Sequence, residues 1–224
     1  MSELAYRTAG QLNDAMLRVY NYMFLAVVIS GVVSYFVGST PALVQFFFTG
    51  WIKWIVMFAP LAAIVGITVA MNSNPPKEIA LAMLVGFATL MGLSFSTIFA
   101  IFTIGSIVMA FMGAAVVFAV MSIYGYTTKR DLTSIGQFLF IGLIGVVIAS
   151  IINIFVGSSI MTMVISAIAV IVFTGLTAYD SQKIREMLQV ENNGTPEIMG
   201  ALTLYLDFIN IFLSLLQLFG DRKE

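Results

Sequence analysis

Histidine and cysteine are both absent from this 224-residue chain. Without imidazole or thiol, zinc sites built on those ligands, histidine triads, thiol nucleophiles, disulfides and haem ligation through either residue are excluded. Charge is scarce as well. Charged residues make up 9% of the chain, against about 25% in an ordinary soluble domain. That excludes a soluble globular enzyme and a disordered chain. A nucleic-acid partner would need a basic excess, and the net charge is -1. What is present is apolar: 60% of the residues are hydrophobic. The runs are long and continuous rather than short and alternating, which separates this chain from a β-barrel. The fold class is an all-α, polytopic membrane protein.

A bilayer core of ~30 Å needs ~20 apolar residues in a helix, and the charged residues punctuate the chain at that scale. The uncharged stretch 19–52 holds one helix, over about 20–37, and then a loop at Gly38-Ser39-Thr40-Pro41. Stretch 54–76 holds one span, with Pro60 inside it as a kink that frees a carbonyl. Stretch 79–128 is long enough for two helices with a break near Thr103-Ile104-Gly105-Ser106, and 132–179 for two more with a break at Gly157-Ser158-Ser159. Block 198–220, interrupted only by Asp207, completes seven spans. The whole of 1–224 forms one transmembrane domain, with 1–19 as a short cytoplasmic N-terminal segment that lacks the apolar core of a signal peptide.

Orientation follows from Lys and Arg. With the N-terminus inside, Arg7, Arg18, Lys77, Lys129, Arg130, Lys183 and Arg185 are cytoplasmic, and Lys53, Arg222 and Lys223 lie outside. Seven spans then put the C-terminus outside, whereas six spans with a re-entrant segment would return it to the cytoplasm. The longest loop is 181–197, and its first half continues span six as a helix. Asn193-Gly194-Thr195 fits a glycosylation sequon but reads here as a turn. Internal repeats of the transporter kind are not evident.

Span seven carries the chemistry. Gly200, Thr203, Asp207, Asn210, Ser214, Gln217 and Asp221 recur at intervals of three and four, which sets them on one stripe. Lipid offers such groups no partners, so the stripe must face protein or water. Thr203, Asn210, Ser214 and Gln217 are therefore candidate pathway-lining residues. An ionised Asp207 near the bilayer centre costs at least ~2.5–3.5 kcal/mol, so it needs a proton, a cation, water or a partner. Asp180, near the cytoplasmic end of span six, is the candidate partner; its bland alternative is a pair with Lys183 one turn on. Two close carboxylates cannot both ionise cheaply, so they would share a proton. Ionised, Asp180 and Asp207 could bind Ca²⁺ transiently.

The small residues Gly86, Ser94 and Thr97 in span three, Ser106, Ala110, Gly113 and Ala114 in span four, and Gly142, Gly145 and Ala149 in span five read as helix interfaces. Asn153 needs a hydrogen-bond partner. The Met and Phe residues read as core filler, and Tyr20, Trp51 and Trp54 as interfacial anchors.

Three stretches, Tyr124-Gly-Tyr-Thr-Thr-Lys-Arg-Asp-Leu132, Gly175-Leu-Thr-Ala-Tyr-Asp-Ser-Gln182 and Gly200-Ala-Leu-Thr-Leu-Tyr-Leu-Asp-Phe-Ile-Asn-Ile-Phe212, together resemble the Bax inhibitor-1 family in its bacterial inner-membrane branch. The resemblance runs through the chain. It implies a seven-helix fold with helix seven central and the other six around it in two layers of three. It also implies a passive, pH-sensitive Ca²⁺ leak, gated by an aspartate pair that matches Asp180 and Asp207. In some relatives a basic residue at the end of helix two latches the ionised pair, so that protonation opens it. Here that region reads Met71-Asn-Ser-Asn-Pro-Pro-Lys77, with Lys77 the nearest substitute.

The expectation is thus a non-enzymatic multi-pass protein of the bacterial inner membrane. It has no resident cofactor, and its partners are lipid, protons and permeant Ca²⁺. Two other readings stay open: a proton-coupled transporter, and a non-transporting factor that binds another membrane protein such as a protease. An intramembrane aspartyl protease fits less well, since it needs both acids at similar depth with a water between them.

Overall fold

Nine helices account for the ordered backbone of the described residues, 7–190 and 194–223, in this computed structural model. They are α1 (Ala9–Gly38), α2 (Pro41–Phe48), α3 (Ile52–Met71), α4 (Lys77–Phe95), α5 (Ile98–Ile101), α6 (Ile104–Thr127), α7 (Thr133–Val156), α8 (Ser159–Met187) and α9 (Thr195–Phe219). Seven of these segments are long and apolar enough to cross a membrane, with α4 and α5 together forming one. The expected breaks at Thr103 and Gly157 are where the chain turns. Thr103 caps α6 by accepting the Ser106 N–H, and Gly157 ends α7 at φ 68°, the left-handed conformation that glycine adopts at least cost. Asp131, outside the spans, accepts bonds from the Thr133 hydroxyl and backbone N–H at the start of α7, and these hold its carboxyl below the usual carboxylate range.

The first span differs from expectation. It is one helix from Ala9, not a helix from about residue 20 behind a short segment 1–19. A capping box starts it: Thr8 Oγ1 accepts the Gln11 N–H at 3.3 Å, and Gln11 Oε1 accepts the Thr8 N–H at 2.8 Å. At ~1.5 Å per residue, the 30 residues of α1 exceed what a bilayer core needs, and Arg18 lies inside the helix. The loop at 38–51 contains the short helix α2, with Pro41 in its first turn. Asn193 lies outside the described residues; its neighbour Gly194 takes φ 87°, as a turn requires.

The chain divides into two compact units, 7–102 with 188–190, 194–202 and 223, and 103–187 with 203–222. Within the first, α1 packs on α4 through small residues. A Cβ on Gly92 would meet the Ser30 carbonyl oxygen at 2.6 Å, and one on Gly38 would crowd Phe99 Cβ at 2.9 Å. Pro60 sits inside α3 and leaves the Val56 carbonyl without its helical donor; Ser94 Oγ of α4 supplies one at 2.6 Å.

Within the second unit, α6 turns a stripe of Ser106, Ala110, Ala114, Phe118, Ser122 and Gly125 inward and packs on α8, which packs in turn on α7. Gly125 meets the Ala178 backbone, and Gly136 meets the Tyr179 ring. Gly142 also has a close neighbour in Val172, whereas Gly145, and Gly86 of the first unit, face open space. Glycine is therefore an interface residue at some of the expected positions and not at these two. Many Phe side chains are not core filler either: Phe138 and Phe155 are 73% and 85% exposed. Hydrocarbon lipid replaces water as their solvent, so apolar side chains need not turn inward. Of the seven spans α9 is the most enclosed. In its most apolar window 67% of residues are buried, against 33% or less in each other span.

Candidate functional site

Asp207 is the middle residue of the 25-residue α9, ~18 Å from either end at 1.5 Å per residue. It is 4% exposed. The side chain projects into a cavity of about 710 Å³ in the second unit. One face of each of three helices builds the wall. From α9 come Thr203, Leu206, Asp207 and Asn210; from α8, Phe173, Leu176, Tyr179 and Asp180; and from α7, Gly136, Gln137, Phe140, Ile141, Leu143 and Val147. The α9 set follows the spacing of neighbours on one helical face.

Asp180 is held from both sides. Across α6, Ser122 and Ser181 hydroxyls hydrogen-bond at 2.9 Å. Towards α7, Gln182 Oε1 accepts the Leu132 N–H at 2.9 Å, while Gln182 Nε2 donates to the Arg130 carbonyl at 2.9 Å. One residue before Asp180, the Tyr179 ring lies against Gly136, where a larger residue would push α7 away. Glycine, serine and glutamine around the quoted motif thus fix the rotation of α8 that turns Asp180 into the cavity.

Asp180 and Asp207 both line this cavity. A hydrogen bond between them would require a proton on one of the two, because two ionised carboxylates only accept. Asp207 Oδ2 is buried without a hydrogen-bond partner. Among the described residues no Lys or Arg pairs with either acid. Lys183 pairs instead with Glu186 at 3.6 Å. The Lys77 ammonium, the substitute latch, sits 5.6 Å from the centre of the Tyr22 ring. Arg185 lies over Tyr126 at 5.2 Å, with its buried Nε unpaired.

The polar stripe divides. Thr203, Asp207 and Asn210 reach the cavity; Ser214 is buried away from its lining and Gln217 is exposed, so neither lines it. Intervals of three and four average 3.5 residues per turn, and a 3.6-residue helix drifts ~20° per heptad against that repeat. Two heptads after Thr203, the stripe has turned away from the cavity. Asn210 Nδ2 donates to its own helix at Leu206 O, 2.8 Å away, so only its carbonyl oxygen is available to a cation. No group of three or more acidic side chains gathers among the described residues. A Ca²⁺ ion, which takes ~6–8 oxygens, would therefore keep much of its water here. Asn153 finds its partners at the α7–α8 turn, donating to Thr162 Oγ1 at 2.8 Å and accepting the Ser158 N–H at 3.1 Å.

The α7 wall, with Gln137, and the polar anchors Ser122 and Gln182 were not singled out by the sequence. Nor was a buried ionic cluster in the first unit. There Glu197 accepts from Arg7 at 3.1 Å and from Arg18 at 2.8 and 2.9 Å. Gln182 and Ser181 lie inside a quoted motif, so their signal was present, but nothing in the spacing of Glu197 points to residues nearly two hundred positions away.

The family described as "Inhibitor of apoptosis-promoting Bax1" matches residues 12–224. The chain is 38% identical to the inner membrane protein YbhL of Escherichia coli K12 over 218 residues, covering 95% of this chain and 93% of the relative. An uncharacterised protein of Rickettsia prowazekii is 40% identical over 217 residues, covering 95% and 92%. One from Borreliella burgdorferi is 37% identical over 221 residues, covering 95% and 94%. The motif around Asp180 and the helix around Asp207 thus occur within a match that spans nearly the whole chain, and this seven-span protein belongs to the Bax inhibitor-1 family.

Proposed function

We propose that this chain is a passive, pH-sensitive cation leak of the bacterial inner membrane, with Ca²⁺ as the permeant ion and the Asp180–Asp207 pair as the gate. It is a conduit, not an enzyme. One observation carries the reading: two acids, Asp207 at the middle of α9 and Asp180 on α8, line one cavity. The likeness to an inner membrane protein supports the location.

The mechanism follows from proton count. With one proton shared, the two acids attract, and α8 and α9 stay together at that depth. Removing the proton leaves two like charges in a medium of low dielectric constant. Water entry, a cation between the carboxylates, or separation of α8 from α9 relieves the repulsion. Thr203 and the Asn210 carbonyl then complete the path with neutral oxygens. A gap of a few kcal/mol between the two arrangements lets one proton choose. A basic latch would close the ionised pair and give the opposite sign. With no latch assigned in this chain, the proposal takes repulsion to set the sign, and flux rises with pH.

Ca²⁺ uptake by proteoliposomes, followed from about pH 5 to about pH 8, tests this. Wild type conducts more at the higher pH without a proton gradient. Asp207→Asn and Asp180→Asn keep the shape of the protonated acid and cannot titrate, so each gives low flux with a flat profile. A wild-type pH profile in either variant would remove the pair from the gate, and strict dependence on a proton gradient would make the protein a coupled transporter.

A further inference from the structure

The cavity has two chemically distinct ends, and its α7 wall is open. Phe140, Ile141 and Val147 line it and are 58%, 68% and 49% exposed, and no residue in the most apolar window of α7 is buried. On a span of a membrane protein that exposure is to acyl chains. Behind this wall, Leu143, Phe173 and Leu176 keep the lining apolar up to the carboxyl pair, where Tyr179, Thr203 and Asn210 supply polar groups.

We propose that this cavity is a laterally entered binding site for single-chain amphiphiles with a primary ammonium head. The alkyl chain lies along α7 and the head reaches Asp207. Three features select that chemistry. With one proton between them the two acids would carry a single negative charge, which a monovalent cation neutralises. Asp207 Oδ2 is buried and lacks a donor, and an ammonium brings three N–H groups. The apolar lining offers an alkyl chain contact that a hydrated inorganic ion cannot use, and the volume lies in the range of small-ligand sites, ~300–1,000 Å³. A fatty acid would set a third carboxyl against the pair. A fatty alcohol would fill the same space without the charge. The proposal rests on the reading of the pair as an uncompensated acid site, not on ion passage.

The test is binding of decylamine, 1-decanol and decanoate to the purified full chain in detergent, followed by native mass spectrometry and by the shift in thermal unfolding. Decylamine should bind at least about tenfold more tightly than decanol, the scale of one charge-assisted hydrogen bond, and decanoate should not compete. Asp207→Asn should erase the preference for amine over alcohol. Leu143→Trp, which fills the apolar part and leaves both acids in place, should weaken decylamine binding while the variant still unfolds cooperatively. Equal affinity for amine and alcohol, or a preference that survives Asp207→Asn, overturns the proposal. Because these arms involve no flux, amine-selective binding without any Ca²⁺ leak would sink the gate and leave this site standing. A leak without amine selectivity would do the reverse.

Discussion

Asp207 and Glu197 are both buried carboxylates, 4% and 2% exposed, and their surroundings are opposite. Glu197 has two guanidiniums, so its charge is matched where it stands. Asp207 shares its cavity with another acid, and on the proposed reading its charge is matched by something that comes and goes: a proton, a metal ion or an ammonium. The first arrangement is structural, and the second is the one we propose for exchange. Glu197→Gln would leave Arg7, whose side chain is 7% exposed, without its anion. Removing one partner of a buried pair costs about 3–5 kcal/mol. Arg18 is 41% exposed and can turn to water, so about 3 kcal/mol is expected. Unfolding of the variant in mixed micelles by increasing SDS should show that loss. A change below about 1 kcal/mol would mean that solvent already compensates Arg7.

At the scale of the helices, two contacts separate interface residues from bystanders. The Val56 carbonyl is freed by Pro60 and satisfied by Ser94, so Ser94→Ala should orphan it and cost about 1–3 kcal/mol. Pro60→Ala restores an N–H to that carbonyl, and in its background Ser94→Ala should cost close to nothing. Equal costs in both backgrounds of this double-mutant cycle would show that the hydroxyl serves some other group. The second contact is Gly125 against the Ala178 backbone. A methyl there meets a carbonyl that cannot rotate aside, so Gly125→Ala should destabilise by about 3 kcal/mol, the upper end for overpacking. It should also disturb the pH profile of flux, since α8 carries Asp180 two residues on. Gly145, with open space around it, is the control. Gly145→Ala should be neutral or stabilising by up to ~1 kcal/mol, and a matching loss at both positions would show that the cost does not come from the Ala178 contact.

For the molecule as a whole, the topology we propose has residues 7 and 223 on opposite sides of the membrane, with the first inside on the excess of Lys and Arg on alternate loops. Alkaline phosphatase fused after residue 224 should therefore be active, as only an exported fusion is, while a fusion in the α6–α7 loop at residue 130 should be inactive. The reverse pattern would invert the topology. Much of this scale is readable from the chain alone. Spans, their breaks at Thr103 and Gly157, and an acid stranded at mid-membrane follow because the bilayer sets a length and refuses unpaired charge. The early start of α1 was also there to be read, in Thr8-Ala-Gly-Gln11, but apolar length alone does not reveal a helix that continues past the lipid. Periodicity places residues on a face of their own helix. It does not fix which neighbour that face meets, or how far a stripe drifts before it loses the cavity, as Ser214 and Gln217 do. Only the tertiary structure decides that Asp180 and Asp207 line one cavity, that Ser94 serves Val56 and that Glu197 gathers Arg7 and Arg18. Each depends on the rotation and height of helices distant in sequence, and those are set by close contacts such as Gly125 on Ala178 and Gly136 on Tyr179, where one methyl group would move a whole helix.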